Sequence, residues 1–301
     1  MSVRLSSGVA SLIAAGVLWG TGGITGRTFG HSGHLPGLAI SAYRLGLGGL
    51  LLVIWLLLAG QRPPRGAAWR RVCAVAGLAA VFQAAFFSSI AVSSVSLATL
   101  VAIGSSPLFV LIYESARQRR WPQRRGVLVV VLAIVGLTLL VGLPAHGSDA
   151  RRQLEGAGLA AISGAMFAAF TILGRRPLVG ITERAVTGYG FLLGGLSLAV
   201  LTAAWYGVSG LGFTPTAKSV GLLATLAIVP TAVAYELFFR GLRSVVASTA
   251  TVVALLEPLT GTLLATIFLG DRLSPAGIFG AVLLGGAIVA SIKTPTAPVG
   301  V

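Results

Sequence analysis

Residues 245–271, VVASTATVVALLEPLTGTLLATIFLGD, make an apolar run long enough to cross a bilayer, which takes about 20 residues at ~1.5 Å each. One acid, Glu257, lies in its interior, and Pro258 follows at once. A carboxylate at membrane depth costs roughly 2.5 kcal/mol or more, so it faces a partner or a wet cavity and marks a functional candidate by default. Pro258 has no N–H to offer the carbonyl of Ala254, so the helix is predicted to kink or open beside the acid. The stretch has an echo 151 residues earlier: Val101–Leu108 (VAIGSSPL) lies over Val252–Leu259 (VVALLEPL), with Pro107 matching Pro258 and Ser106 matching Glu257. Two broken helices at matching positions of two halves point to a binding site at the membrane midplane.

Composition sets the class. The chain is 55% hydrophobic and 10% charged, with a mean hydropathy of +0.94, far from the roughly 25% charge of a globular domain. A net charge of +15 suits nucleic acid, but the cations sit in short clusters between apolar runs, the pattern that orients a membrane protein. The expected partner is the lipid bilayer, with no nucleic acid. Cys73 is the single cysteine, which excludes a disulfide framework and a cysteine-based metal site. His31, His34 and His146 fall in loops or at span ends and no HExxH occurs, so no metal and no cofactor is expected. Only Arg4 precedes the first span and no small-residue cleavage site follows; that span reads as retained rather than as a signal peptide.

Ten spans are predicted, roughly 7–28, 35–59, 70–92, 95–116, 124–143, 156–174, 184–206, 218–239, 246–269 and 275–292. With the N-terminus inside, sixteen Lys and Arg fall on inner segments and five on outer ones, Arg44 within a span completing the 22. That bias places both termini in the cytoplasm.

The halves repeat. Gly8 and Gly16 match Gly156 and Gly164, with Trp19 over Phe167; Tyr43, Gly48 and Gly49 match Tyr189, Gly194 and Gly195; Val95, Val101 and Pro107 match Val246, Val252 and Pro258. The order is kept while the offset drifts only from 146 to 151. Each half holds five spans, an odd number, so the second enters the membrane from the opposite side. The predicted fold is all-α and integral to the membrane: ten transmembrane helices as two inverted five-helix repeats, residues 1–148 and 149–301. Such repeats are an architecture of alternating access.

Taken together, the two five-span halves, the small-residue first span with Trp19-Gly20, Arg44 early in the second span, and Glu257-Pro258-Leu259 closing on Leu269-Gly270-Asp271 resemble the drug/metabolite transporter superfamily, EamA type. The resemblance covers nearly the whole chain and implies a ten-helix carrier of the bacterial inner membrane that exports small metabolites. Within that superfamily the chain is similar to the YddG-like group of amino-acid exporters. It departs in two places: Asp271 stands where the family more often has Glu, and no acid precedes Pro107.

The candidate substrate-binding residues are Trp19, Gln83, Phe86, Ser105, Phe167, Phe170, Tyr235 and Glu257, and the candidates for coupling or gating are Glu257, Pro107, Pro258 and Arg44. Glu257 suits a proton-coupled carboxylate, an anchor for a substrate ammonium, or a structural acid held by freed backbone N–H groups or Arg44. Arg44 lies too deep for a loop residue and suits either a substrate carboxylate or a structural pair. Gln83, flanked by Phe82, Phe86 and Phe87, has Tyr235 as its nearest counterpart in the second half; a wall of aromatics with a few amides and hydroxyls fits a neutral or zwitterionic solute. Ser105, Ser106 and the carbonyls freed by Pro107 can bond a ligand or satisfy the kink locally. Glu114 with Arg117 and Glu236 with Arg240 have the spacing of exposed intrahelical ion pairs. Gly16-x-x-x-Gly20, Gly22-x-x-x-Gly26 and Gly190-x-x-x-Gly194 permit close helix approach, which internal packing explains without dimerisation; a monomer is expected.

Catalysis has little to work with. No paired carboxylates share a span, and no Gly-x-Ser-x-Gly, Walker loop or metal-spaced histidine set occurs. Filter-like repeats and charged rings of a channel are absent as well. The expectation is a secondary exporter of an amino acid or related metabolite through a midplane cavity, with export of hydrophobic drugs or lipids as the alternative, and a channel or membrane-embedded enzyme as the different class.

Overall fold

A computed structural model describes residues 6–142, 149–176, 180–270 and 272–293. Arg4, His146 and Asp271 lie outside these. Among the described residues ten helices are long and apolar enough to cross a membrane: α1 (Ser7–Gly30), α2 (Gly37–Leu58), α3 (Ala68–Val92), α4 (Val95–Gln118), α5 (Arg124–Val141), α6 (Ala150–Gly174), α7 (Glu183–Tyr206), α8 (Ala217–Leu242), α9 (Ala247–Phe268) and α10 (Pro275–Lys293). The sixth begins several residues before its apolar run. Asp149 caps it by accepting from Arg151 N at 3.0 Å, and Arg151 pairs with Glu155 one turn on at 2.8 Å. Capping and an i,i+4 pair sustain a polar first turn that hydropathy alone does not detect.

Large apolar side chains face outward along most helices, among them Leu58, Leu128, Val200, Leu201, Phe268 and Val282. A water-soluble monomer rarely exposes contiguous patches beyond a few hundred Å², so this surface is lipid-facing.

The helix contacts fall into matched sets. Helix α2 packs on α7 and α5 on α10, while α1 packs on α8 and α9 as α6 packs on α3 and α4. Glycines allow the closest crossings. A β-carbon on Gly49 would lie 2.3 Å from Leu192 N, and one on Gly195 would lie 2.2 Å from Gly46 N. The pair Gly136 and Gly280 brings α5 and α10 together in the same way, with 2.7 Å to Leu284 N and 2.6 Å to Leu140 N. The G-x-x-x-G motifs are spent on internal packing as expected: Gly16 and Gly20 lie against Leu256 and Thr260, and Gly190 and Gly194 against Val75 and Ala76.

The ion pairs at the arginine-rich end correct the intrahelical assignment. Glu114 lies 4.0 Å from Arg175 Nη1 of α6, and Glu236 accepts from Arg184 of α7. Arg117 instead donates to Tyr113 Oη at 3.3 Å, and Arg184 also stacks over Trp55 at 4.1 Å. Helix ends converge here, so a neighbouring helix offers each carboxylate a guanidinium that competes with the one a turn away. Arg243 completes the set, donating to Glu183 Oε1 at 2.6 Å; that bond raises its guanidinium above the usual range.

Candidate functional site

Three prolines shape the middle of the bundle, and each leaves a carbonyl without its amide. In α4, Pro107 cannot donate to Ile103 O, but Ser106 Oγ does so at 2.9 Å, and the helix runs through unbroken. In α8, Pro230 cannot donate to Leu226 O, and Thr231 Oγ1 does so at 2.8 Å, with the backbone widened to a π turn over Ile228–Val233. In α9 the residue before Pro258 is Glu257, a carboxyl group where the other two prolines have the hydroxyls of Ser106 and Thr231 beside them. There the helix breaks: Leu255 flattens to ψ −4° and its N–H bonds Val252 O at 3.1 Å in a tighter turn. The expectation of two broken helices is thus corrected to one, and at Pro107 the Ser106 hydroxyl supplies the hydrogen that the proline lacks. The π turn in α8 was not foreseen; such turns cluster at functional sites.

Around the break stands an aromatic cluster. Trp19 of α1 has ring centroids 4.9 Å from Tyr235, 4.9 Å from Phe238 and 6.0 Å from Phe167. Phe170 stacks 6.1 Å from Phe191 and 6.4 Å from Phe167, and meets Tyr235 edge-on at 5.8 Å. Tyr235 also meets Phe191 at 4.6 Å. Four expected residues, Trp19, Phe167, Phe170 and Tyr235, are therefore assembled by α1, α6 and α8. Phe238, one turn after Tyr235, and Phe191 of α7 belong to the same cluster and escaped the sequence reading; the i+3 spacing was the available signal for Phe238.

Polar groups edge this cluster. Arg44 and Glu257 both lie close enough to Tyr235 to act on its hydroxyl. Among the described residues no ion pair within 4.0 Å joins Arg44 to Glu257. Four buried side-chain donors have no partner among the described residues, Trp19 Nε1, Arg44 Nε, Arg71 Nε and Ser291 Oγ, and the first two belong to this group of residues. A buried donor left unmade costs about 1–3 kcal/mol, so orphans of this kind are rare and call for a ligand or water.

The other expected residues sit in helix contacts. Gln83 is buried in α3 and accepts from Ser41 Oγ of α2 at 3.3 Å. Ser105 Oγ reaches Ala102 O at 3.5 Å and lies where a β-carbon on Gly164 would be only 2.2 Å away, in the α4–α6 crossing. Phe86 stacks with Phe82 at 6.5 Å and meets Phe87 at 5.4 Å, and reaches the cluster only through the contact of Phe82 with Phe167 at 5.5 Å. A cavity of about 280 Å³ is lined by Gly261, Thr262, Ala265, Thr266, Arg272 and Leu273, starting one turn beyond Glu257 toward the far end of α9. Among the described residues no three His, Cys, Asp or Glu side chains gather to hold a metal.

Known proteins resemble this arrangement along its whole length. The family described as EamA-like transporter family matches residues 6–142 and again residues 154–292. The uncharacterized transporter YwfM of Bacillus subtilis is 30% identical over 275 residues, 91% of this chain and 89% of its own. The uncharacterized inner membrane transporter YicL of Salmonella typhimurium is 24% identical across 94% of each chain. A solved crystal structure has a TM-score of 0.79 at 20% identity, covering 96% of this chain and 97% of that one.

Proposed function

The chain belongs to the EamA-like transporter family, and from that premise we propose that it exports small zwitterionic metabolites, neutral and aromatic amino acids first among them. Export runs by alternating access between two inverted five-helix repeats, residues 1–148 and 149–301, across a bacterial inner membrane with both termini in the cytoplasm. The chain acts as a monomer. It is a transporter rather than an enzyme, its substrate a small molecule and its surroundings a bilayer.

The observation that carries the substrate class is the pair of orphan donors, Trp19 Nε1 and Arg44 Nε, beside an unpaired carboxylate and an aromatic cluster. Two donors suit a substrate carboxylate. Glu257 suits its ammonium, and the rings of Trp19, Phe167 and Tyr235 suit an apolar or aromatic side chain. A simple anion leaves Glu257 facing like charge, and a simple cation leaves Arg44 and the indole unmatched. Released solute leaves past Thr262 and Thr266 toward Arg272, along the cavity of about 280 Å³. The inverted arrangement draws on the family match to each half and on the matched crossings of Gly16 on Val253 O at 3.1 Å and Gly164 on Ala102 O at 2.6 Å.

The test is flux in liposomes holding purified protein and a labelled amino-acid panel. Saturable flux competed by unlabelled aromatic amino acids is expected. No flux of any amino acid from folded protein would remove the substrate class and leave hydrophobic drugs, lipids or other metabolites.

A further inference from the structure

The turn between α4 and α5, Arg119 to Gln123, carries more chemistry than a turn needs. It joins two helices in five residues, and with its flanks it presents Arg117, Arg119, Arg120, Arg124 and Arg125 within nine positions with no acid among them. All five are exposed, and among the described residues none of them is in an ion pair. Between the two arginine pairs stands Trp121, 95% exposed, the most exposed large apolar side chain of those described. Pro122 holds the residue before it out of helix, so the indole is displayed rather than packed.

The rule that cations collect on inner loops explains the number of charges. It does not explain which residue occupies the helix cap. Arg119 has φ +50°, one of two non-glycine residues with positive φ among the described residues. A residue with a β-carbon adopts that conformation at a cost, and glycine is the usual occupant. The repeat shows the alternative directly: 151 positions on, the cap that ends α9 is Gly270 at φ +73°. The first half keeps a guanidinium where the second half relaxes to glycine. Nearby, Arg117 donates to the Tyr113 hydroxyl at 3.3 Å, which extends the basic surface back along α4.

We propose that this turn is a docking site for the headgroups of anionic phospholipids, with Arg119, Arg120, Arg124 and Arg125 binding phosphate and Trp121 seated at the headgroup level. Guanidinium forks match phosphate oxygens bidentately, and tryptophan favours the membrane interface. A turn at the end of two spanning helices places both at the depth where headgroups lie. The site is independent of the transported solute and of the direction of transport.

Delipidated full-length protein in detergent, titrated with cardiolipin or with phosphatidylcholine, tests this by native mass spectrometry. Wild type is expected to retain cardiolipin in preference to phosphatidylcholine, and less so at high salt. Each arginine removed should weaken retention about fivefold. Arg119→Gly is the informative single variant, since it deletes the guanidinium while relieving the backbone and should keep or raise thermal stability. Arg119→Gly combined with Arg120→Gln, Arg124→Gln and Arg125→Gln should leave no preference over phosphatidylcholine. Undiminished cardiolipin binding by that variant, shown folded by gel filtration, overturns the proposal. So does displacement of cardiolipin from wild type by an equal concentration of inorganic phosphate, which would assign the arginines to a soluble oxyanion.

Discussion

Trp19→Phe separates a binding role for the indole N–H from a packing role for the ring. The ring lies 4.9 Å from both Tyr235 and Phe238 and is 4% exposed, with Nε1 unpartnered. Phenylalanine keeps an aromatic face there and deletes the donor. If Nε1 bonds a substrate carboxylate during transport, its loss removes a hydrogen bond to a charged group worth about 1.5–3 kcal/mol, so the KM for export should rise about 10- to 150-fold. Stability moves little by comparison. Deleting a buried unmade donor returns about 1–3 kcal/mol, while a cavity of a few tens of Å³ at ~24 cal/mol per Å³ takes back about 1 kcal/mol. The net change is expected within about 1 kcal/mol of zero or slightly stabilising. Liposome flux gives the first quantity, and denaturant unfolding in detergent the second. An unchanged KM with stability lowered by more than about 2 kcal/mol would refute the assignment and return Trp19 to the core.

Four other outcomes follow from the same geometry. Ser106→Ala should cost about 1–2 kcal/mol by orphaning Ile103 O, yet be nearly neutral in a Pro107→Ala background where the amide is restored; additive costs in a double-mutant cycle would show that the hydroxyl does not replace the amide. Glu257→Gln should flatten the dependence of flux on a pH gradient if this carboxylate carries the coupling proton, and an intact pH profile at normal expression would exclude that role. Gly195→Ala places a β-carbon 2.2 Å from Gly46 N and should cost about 3 kcal/mol or more, whereas Gly221→Ala, which meets nothing within 4 Å, should be neutral or mildly stabilising in thermal unfolding. Gln83→Ala should lower stability by about 1 kcal/mol through the lost bond to Ser41 without changing KM; a raised KM in folded protein would bring Gln83 into the transport path.

Much of the fold was legible because the bilayer imposes it. Spans of fixed length and clustered cations marked the ten helices, and the glycine motifs anticipated the close packing of Gly16 and Gly20 on α9 and of Gly190 and Gly194 on α3. The site was half legible. Trp19 over Phe167, and Tyr235 opposite Gln83, flagged aromatic positions that the fold does gather. Polar residues in apolar helices were harder, since Gln83 and Ser105 read alike as ligand groups or as ties between helices, and hydropathy does not say which neighbour a side chain meets. Pro230 escaped because the repeat offered no cue: 151 positions earlier the chain has Ala79. The ion pairs of Glu114 and Glu236 went astray for a related reason, as spacing reports neighbours on one helix and the true partners, Arg175 and Arg184, come from others.

The two matching proline positions differ in structure. Pro107 and Pro258 occupy matching places, α4 and α9 cross α6 and α1 over matching glycines, and both prolines forfeit the same bond. The residue before each proline differs. A hydroxyl at Ser106 supplies the missing hydrogen, and α4 runs through unbroken. Glu257 has no such hydroxyl, and α9 is interrupted at Leu255 between two segments, Ala247–Ala254 and Leu256–Leu269. Of the two matching positions only the one in α9 is interrupted, and Glu257 lies beside the interruption. Under the proposed alternating access, a change in what Glu257 binds, a proton or an ammonium, acts beside that interruption, and the motion is expected to be asymmetric, larger in α9 than in α4.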